Sequence, residues 1–247
     1  MTPQELYRAG ELGQAIKALG EELRSQPLDV KRRTFLFELL CFAGEFDRAE
    51  KHLDVLQSQD QKAAIGILLY RSALHAERTR QEMFRTGQMP VAESASAPTG
   101  GGTWNGSRFE ELSDADPRIG DHIEVFIAGS YTWVPTQYIE RLEIEAPENL
   151  RDLLWARARI DCSPKFRLQE LGEVLLPVIS PLSYLSADDA VRLGRATVWE
   201  DQEGGGEHPL GQKMLLVDGE EIPLLEFRSI VWAPAGEPAG ESVDATP

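Results

Sequence analysis

One short pattern occurs twice near the start of the chain, with a spacing of 34 residues. Gly10 and Ala15 in the first copy correspond to Gly44 and Ala49 in the second. A 34-residue period, with glycine at the turn and alanine at the contact between antiparallel helices, is typical of tetratricopeptide repeats. The pattern therefore predicts a tetratricopeptide-like helical array. The alternative is an ordinary pair of helical hairpins in which the matches arise by chance.

The predicted array is too short to bury its own end. Thr2 and Glu5 form a capping-box pattern around Pro3, which predicts that the first helix begins there. A third helix is predicted from about Asp60 to Arg85. Because about three repeats are normally needed for a stable array, these helices must pack against the rest of the chain or against a partner. The incomplete array therefore indicates an interaction role.

Recognition of a partner helix in the groove of the array is the mechanism we expect. In the register of the repeat, five positions of the second repeat face this groove, and we predict that they bind the partner: Lys31, Thr34, Glu38, Cys41 and Phe42. Cys41 also fits a small core residue, because it lies in an apolar run.

The composition of the chain divides it into segments. Residues 1–87 form the predicted helical module, and residues 88–103 are rich in Pro, Gly, Ser and Ala, which predicts a flexible linker. Residues 104–233 contain short apolar runs separated by turn residues, which predicts a β-rich domain. Residues 234–247 predict a disordered tail. The expected fold class is α+β, with a helical array followed by a mainly antiparallel β-rich domain.

Two local signals in the β-rich part are clear. Residues 122–127 alternate in the period-2 pattern of a strand, and Pro135 confines the end of the next strand to a sheet edge or a bulge. Asp218-Gly219 lies between two apolar runs and predicts a two-residue hairpin turn.

The distribution of charge limits the choice of partners. The chain has 25 basic and 41 acidic side chains, a formal net charge of −16. Residues 1–87 carry 13 of each sign, whereas residues 88–247 carry 12 basic and 28 acidic side chains. This balance argues against nucleic acid, because phosphate binding requires clustered Lys and Arg. The sequence shows no signal peptide or membrane-spanning run, so we expect a cytoplasmic protein without membrane insertion.

No motif of catalysis or cofactor binding occurs in the sequence. The four histidines do not stand at metal-ligand spacing to one another or to a cysteine. Asp114, Asp116 and Asp121 imitate part of a calcium loop, but the liganding Glu and the central Gly are missing. We therefore predict no enzyme activity, no metal and no cofactor.

Three sequence motifs between residues 114 and 155 carry a family resemblance. They read D-x-D-x-R-x-G, G-x-Y-x-W-V-P and L-R-D-L-x-W. Their main residues are Asp114, Asp116, Arg118, Gly120, Gly129, Tyr131, Trp133, Pro135, Arg151, Asp152 and Trp155. In this order they resemble the ImpE/SciE/TagJ family, accessory proteins of bacterial type VI secretion, over roughly residues 4 to 232. The helical first part and the β-rich second part agree with that family's pattern.

The resemblance implies a function and two partners. It implies a non-enzymatic adaptor that binds the N-terminal helix of the small sheath subunit, a TssB-like protein, and acts directly or indirectly with the ClpV ATPase. Two rival functions stay open: an enzyme or small-ligand-binding protein with its site around Asp114–His122, and a generic tetratricopeptide scaffold. The charged motif residues favour a structural role, in which an Arg–carboxylate contact joins two loops, over contact with a partner.

Overall fold

The structure is a computed structural model that describes residues 1–59, 64–90, 101–166, 171–201 and 206–233. It confirms the α+β class, with helices in the first part of the chain and antiparallel strands in the second. The helices are α1 (Pro3–Arg8), α2 (Leu12–Ser25), α3 (Val30–Phe42), α4 (Phe46–Gln59), α5 (Ala64–Thr86) and the short α6 (Asp189–Arg192). The predicted start of the third helix at Asp60 and the predicted tail lie outside the described residues.

The helix starts follow local capping chemistry. Thr2 caps α1 and forms the predicted capping box with Glu5, while Pro3 occupies the first turn. Asp29 caps α3 by accepting a hydrogen bond from the backbone N–H of Arg32. Gly10 and Gly44, the two repeat glycines, have positive φ angles in the turns α1–α2 and α3–α4. The tetratricopeptide-like character of the array stays a prediction.

In the described residues, the second part of the chain forms three antiparallel sheets. The strands are β1 (Gly102–Trp104), β2 (Ser107–Phe109), β3 (Leu112–Asp114), β4 (His122–Ile127), β5 (Ser130–Pro135), β6 (Ile139–Ile144), β7 (Trp155–Cys162), β8 (Gly172–Pro177), β9 (Thr197–Asp201), β10 (Glu207–Gly211), β11 (Met214–Val217), β12 (Glu220–Pro223) and β13 (Ser229–Trp232). The large sheet has the order β2-β1-β13-β6-β7-β8-β4-β5, and the smaller sheets are β12-β11-β3 and β10-β9.

The large sheet has a core on each face. On one face, Phe126, Tyr131 and Trp133 pack into the same apolar cluster as the helices. On the other face, alternate side chains such as Val125 pack with Leu215 of the three-stranded sheet. Strand β4 is therefore buried on both faces, although its sequence alternates.

Several sequence predictions are confirmed here and one hairpin was missed. The turn at Asp218-Gly219 has φ angles of 51° and 84° and joins β11 to β12 as predicted. Strand β5 lies at a sheet edge, as Pro135 requires. Asn105-Gly106, a strong hairpin signal that we did not use, joins β1 to β2. Strand β1 begins within the predicted linker, of which residues 91–100 lie outside the described part.

Candidate functional site

A buried charge network joins helix α5 to the large sheet. The guanidinium of Arg80 on α5 donates two hydrogen bonds to the Glu124 carboxylate on β4, at 2.7 and 3.0 Å. Lys213 Nζ lies 2.5 Å from an oxygen of Glu124 and 2.5 Å from an oxygen of Asp114. All four side chains are buried. Because the Arg80 guanidinium and the Glu124 carboxylate are planar and share two hydrogen bonds, their pairing fixes the orientation of α5 on the sheet.

Aromatic motif residues complete this network. Tyr131 donates to Glu124 at 2.6 Å, and the indole N–H of Trp133 donates to the Tyr131 hydroxyl. The indole N–H of Trp155 donates to Glu77 of α5 at 2.9 Å. Trp155 therefore bonds directly to α5, whereas Tyr131 reaches that helix through Glu124, and the Trp133 ring lies beside Phe84 of α5. A structural role for the motif residues stays a prediction.

Burial and charge act in opposite directions on the two carboxylates of the network. Burial raises the pKa of Asp114 to about 6, and the nearby charge of Glu124 adds to this rise, while Lys213 opposes it. Burial alone would also raise the pKa of Glu124, but Arg80 and Lys213 outweigh it and hold that pKa below its usual value. Glu124 is therefore the ionised centre of the network.

The motif residues 116–120 form a tight turn beneath α5. Asp116 accepts hydrogen bonds from the backbone N–H and the guanidinium of Arg118, at 3.0 and 2.8 Å. The same guanidinium lies 4.8 Å from the ring centre of Phe84 on α5. Gly120 closes the turn with a positive φ of 58°. The Asp–Arg pair is thus local, and the contact that reaches a second element is the one with Phe84.

The second Arg–Asp pair of the motifs is also local. Asp152 accepts hydrogen bonds from the backbone N–H groups of Glu148 and Asn149 and from the Arg151 guanidinium, at 2.9 to 3.0 Å. It is the third residue of the short 3₁₀ helix Leu150–Leu153 and completes the capping box with Asn149, the N-cap residue. In the middle motif, Gly129 has a positive φ and lies against Ser72 of α5.

The main residues of the rival site, Asp114, Asp116 and Arg118, make ion pairs within the chain. Asp114 and Asp116 are buried, and each is bound by a cation of the same chain. His122 Nδ1 lies 2.9 Å from the carbonyl oxygen of Ile119, and its ring lies against Trp133. Within the described ranges, no group of three or more His, Cys, Asp or Glu side chains could hold a metal ion.

The predicted groove residues divide into exposed and covered positions. Lys31 is exposed and Thr34 is half-buried. Glu38 is 7% exposed and accepts a hydrogen bond from Tyr70. Cys41 and Phe42 are buried and line a small cavity of about 20 Å³. These last three side chains are therefore covered by other side chains of the same chain. That the five residues bind a partner stays a prediction.

The second part of the chain is what covers the groove. Trp155 and Tyr184 line the same small cavity as Cys41, and the Tyr184 ring lies directly against Gly44. The incomplete array therefore packs against its own β-rich part.

A segment after β8 also binds the two helix turns. The Arg195 guanidinium donates to the carbonyl oxygens of Tyr7 and Arg8 at the end of α1. Arg192 donates to the carbonyl oxygen of Ala43 at the end of α3. Cations are favourable at helix C-termini because they satisfy unpaired carbonyl groups there.

An apolar surface remains on α5. Ile65, Leu68 and Leu69 are 77%, 61% and 57% exposed. Leu69 also lines an open groove of about 290 Å³ between α5 and the large sheet. The sequence places this apolar run in a helix, but we did not predict its exposure. The exposure could have been predicted from one feature of the sequence: this apolar run lies in the last helix of the array, and no further helix is predicted to cover it.

In the described part of the chain, no helix has both the length and the apolar character needed to cross a membrane.

Comparisons with known proteins agree over most of the chain. A family model described as ImpE protein matches residues 106–231. The chain is 33% identical to the type VI secretion system accessory component TagJ of Pseudomonas aeruginosa strain PAO1, over 95% of this chain and 92% of that protein. Its fold is similar to the crystal structure of protein VPA1032 from Vibrio parahaemolyticus, with a TM-score of 0.81 and 25% identity, over 94% of this chain and 97% of that chain.

Proposed function

The chain belongs to the ImpE protein family, and from this premise we propose that it is a non-enzymatic accessory protein of a bacterial type VI secretion system. The observation that carries the proposal is the 33% identity to an accessory component of such a system along 95% of the chain. The motif carboxylates of Asp114, Asp116 and Asp152 already form ion pairs with cations of the same chain, which also favours a non-enzymatic role.

Within that role, the protein is an adaptor that works in the cytoplasm. Its helical module, a tetratricopeptide-like array, binds the N-terminal helix of the small sheath subunit, and the adaptor thereby assists the handling of the sheath by the ClpV ATPase. Of the groove residues, Lys31 and Thr34 stay accessible for such contact. The acidic excess of residues 88–247, with 28 acidic and 12 basic side chains, favours a partner that also carries basic residues.

Calorimetric titration tests this proposal. The full chain is titrated with a peptide of the N-terminal helix of the small sheath subunit from the same organism. We expect saturable one-to-one binding, and affinity that weakens as the salt concentration rises. A scrambled peptide of the same composition is the control and should not bind. If neither the peptide nor the intact sheath pair binds, the adaptor mechanism is wrong, and a titration with ClpV then shows whether the ATPase is the direct partner.

A further inference from the structure

The apolar surface of α5 has the spacing of a helix contact. Ile65, Leu68 and Leu69 stand at positions i, i+3 and i+4, which lie on one face of a helix. We call these three residues the α5 patch. Other large apolar side chains that are exposed in the described residues, such as Leu28 and Leu185, do not share this face. Scattered single residues are common on protein surfaces, whereas a contiguous patch marks an interaction site.

A groove continues the α5 patch onto the large sheet. Leu69 forms one wall, and Phe126 and Leu175 lie across from it. The groove has a volume of about 290 Å³, so it can take a few apolar side chains that project from a bound segment. Patch and groove together form one apolar surface at the end of the helical array.

The groove itself is lined by equal numbers of acidic and basic side chains, and the carboxylates that pair with its arginines give the edge of this surface a small acidic surplus. Two arginines and four carboxylates lie along the edge or pair with its arginines: Arg151, Arg157, Asp152, Glu145, Glu148 and Glu173. Arg157 binds Glu145 at 2.9 Å, and Arg151 binds Asp152 at 2.9 Å. Because both arginines already bind carboxylates of the same chain, the surplus negative charge remains for a partner.

The order of the helices indicates what covers this surface. α1 pairs with α2, and α3 pairs with α4, whereas the chain passes from α5 to the strands without a paired helix in the described residues. A row at i, i+3 and i+4 is also the ridge that packs into the groove of a neighbouring helix. We propose that the α5 patch and its groove bind an amphipathic helix of a protein partner whose apolar stripe is flanked by Lys and Arg.

Other occupants fit this surface poorly. Residues 91–100 and 234–247 of the same chain each contain one valine as their largest apolar side chain, so neither can fill the groove. A second copy of the chain would bring two acidic edges together, and like charges at an interface are unfavourable. A partner helix with basic flanks can bury the apolar patch and groove and also pair with the carboxylates at their edge. The inference rests on the proposed function, because it places the adaptor's partner helix on α5.

Charge introduced into the patch tests the inference. The variant Leu68→Glu/Leu69→Glu changes two exposed side chains and should fold normally, as circular dichroism can verify. The matched control is Leu28→Glu/Leu185→Glu, which changes two leucines of similar exposure, 74% and 65%, outside the patch. The wild type and both variants are titrated with the sheath-subunit helix peptide, and their masses are measured by light scattering.

We expect the patch variant to bind the peptide about tenfold or more weakly, and the control variant to bind like the wild type. A second variant, Glu173→Lys, should weaken binding and reduce its dependence on salt. If all variants bind like the wild type, the partner helix binds elsewhere and the inference is overturned while the proposed function stands. If the wild type does not bind, both fail. A wild-type dimer that the patch variant converts to a monomer would instead assign the surface to a second copy.

Discussion

At the scale of single residues, Glu124 is the position on which the charge network depends. Two cations far away in sequence, Arg80 and Lys213, bind its two carboxylate oxygens inside the protein. Glu124→Gln keeps the shape of the side chain but removes the negative charge that Arg80 and Lys213 share. Removal of one partner from a buried ion pair typically costs about 3–5 kcal/mol. We expect a loss of that order in the free energy of unfolding, measured by urea denaturation.

The control for this prediction is an exposed pair on the same helix. Arg85 binds Glu82 on α5, and both side chains are more than half exposed. Exposed pairs contribute about 0–1 kcal/mol, so Arg85→Met should leave stability nearly unchanged. Equal small losses for Arg85→Met and Glu124→Gln would contradict the role assigned to the buried network.

Asp114 makes the same network sensitive to pH. Its pKa is raised by burial from the ordinary 3.8 to about 6 in the folded protein. The folded state therefore holds this proton more tightly than the unfolded state, so the contribution of Asp114 to stability decreases as pH rises between these two values. Asp114→Asn cannot titrate. We expect the stability of the wild type relative to this variant to fall from pH 4 to pH 6, in urea denaturation at each pH, and a rise over this range would contradict the assignment.

At the scale of secondary-structure elements, Gly44 in the turn between α3 and α4 has two roles. It allows the backbone conformation of the turn, and it leaves room for a ring from the second part of the chain. Gly44 has a φ of +69°, and a Cβ atom at this position would lie 2.2 Å from the Tyr184 ring. Gly44→Ala therefore introduces both backbone strain and a clash. Strain of this kind costs about 1–2 kcal/mol and overpacking about 1–3 kcal/mol. We expect a combined loss of about 2–5 kcal/mol in thermal or urea unfolding.

Substitutions at two other glycines distinguish the backbone strain from the clash with Tyr184. Gly87 has a φ of +70°, but no atom of the described residues lies within 4 Å of where its Cβ would be, so Gly87→Ala should show the strain alone. Gly66 lies inside α5 with similar space around it, and Gly66→Ala should stabilise the protein by about 0.5–1 kcal/mol. If Gly44→Ala costs no more than Gly87→Ala, the contact with Tyr184 is not tight in solution.

At the scale of the whole molecule, the sequence predicted elements better than the contacts between them. Capping at Thr2, the turn at Asp218-Gly219 and the α+β order follow from local chemistry, and the family resemblance from residues 114–155 is confirmed. The network could not be predicted in this way. Glu124 alternates with apolar neighbours, which suggests a water-facing position, and its partners lie 44 and 89 residues away. The sequence required that something cover the array but could not say whether the chain itself or a partner does so, because the array supplies only half of that contact.

The shared core makes a prediction about how the molecule unfolds. One apolar cluster contains side chains of all five helices of the first part together with Phe126, Trp133 and Trp155 of the sheet. Separate unfolding of either part would expose this cluster and break the pair of Arg80 with Glu124. We therefore expect one cooperative transition rather than two.

Two spectroscopic probes can follow the two parts independently. Far-ultraviolet circular dichroism reports mainly on the helices of the first part. Tryptophan fluorescence reports on the second part alone, because all five tryptophans lie there: Trp104, Trp133, Trp155, Trp199 and Trp232. In urea, the two curves of the wild type should coincide in midpoint and slope. Separate midpoints would mean that the helical module and the β-rich part fold as independent domains, and the charge network would then contribute little to joining them.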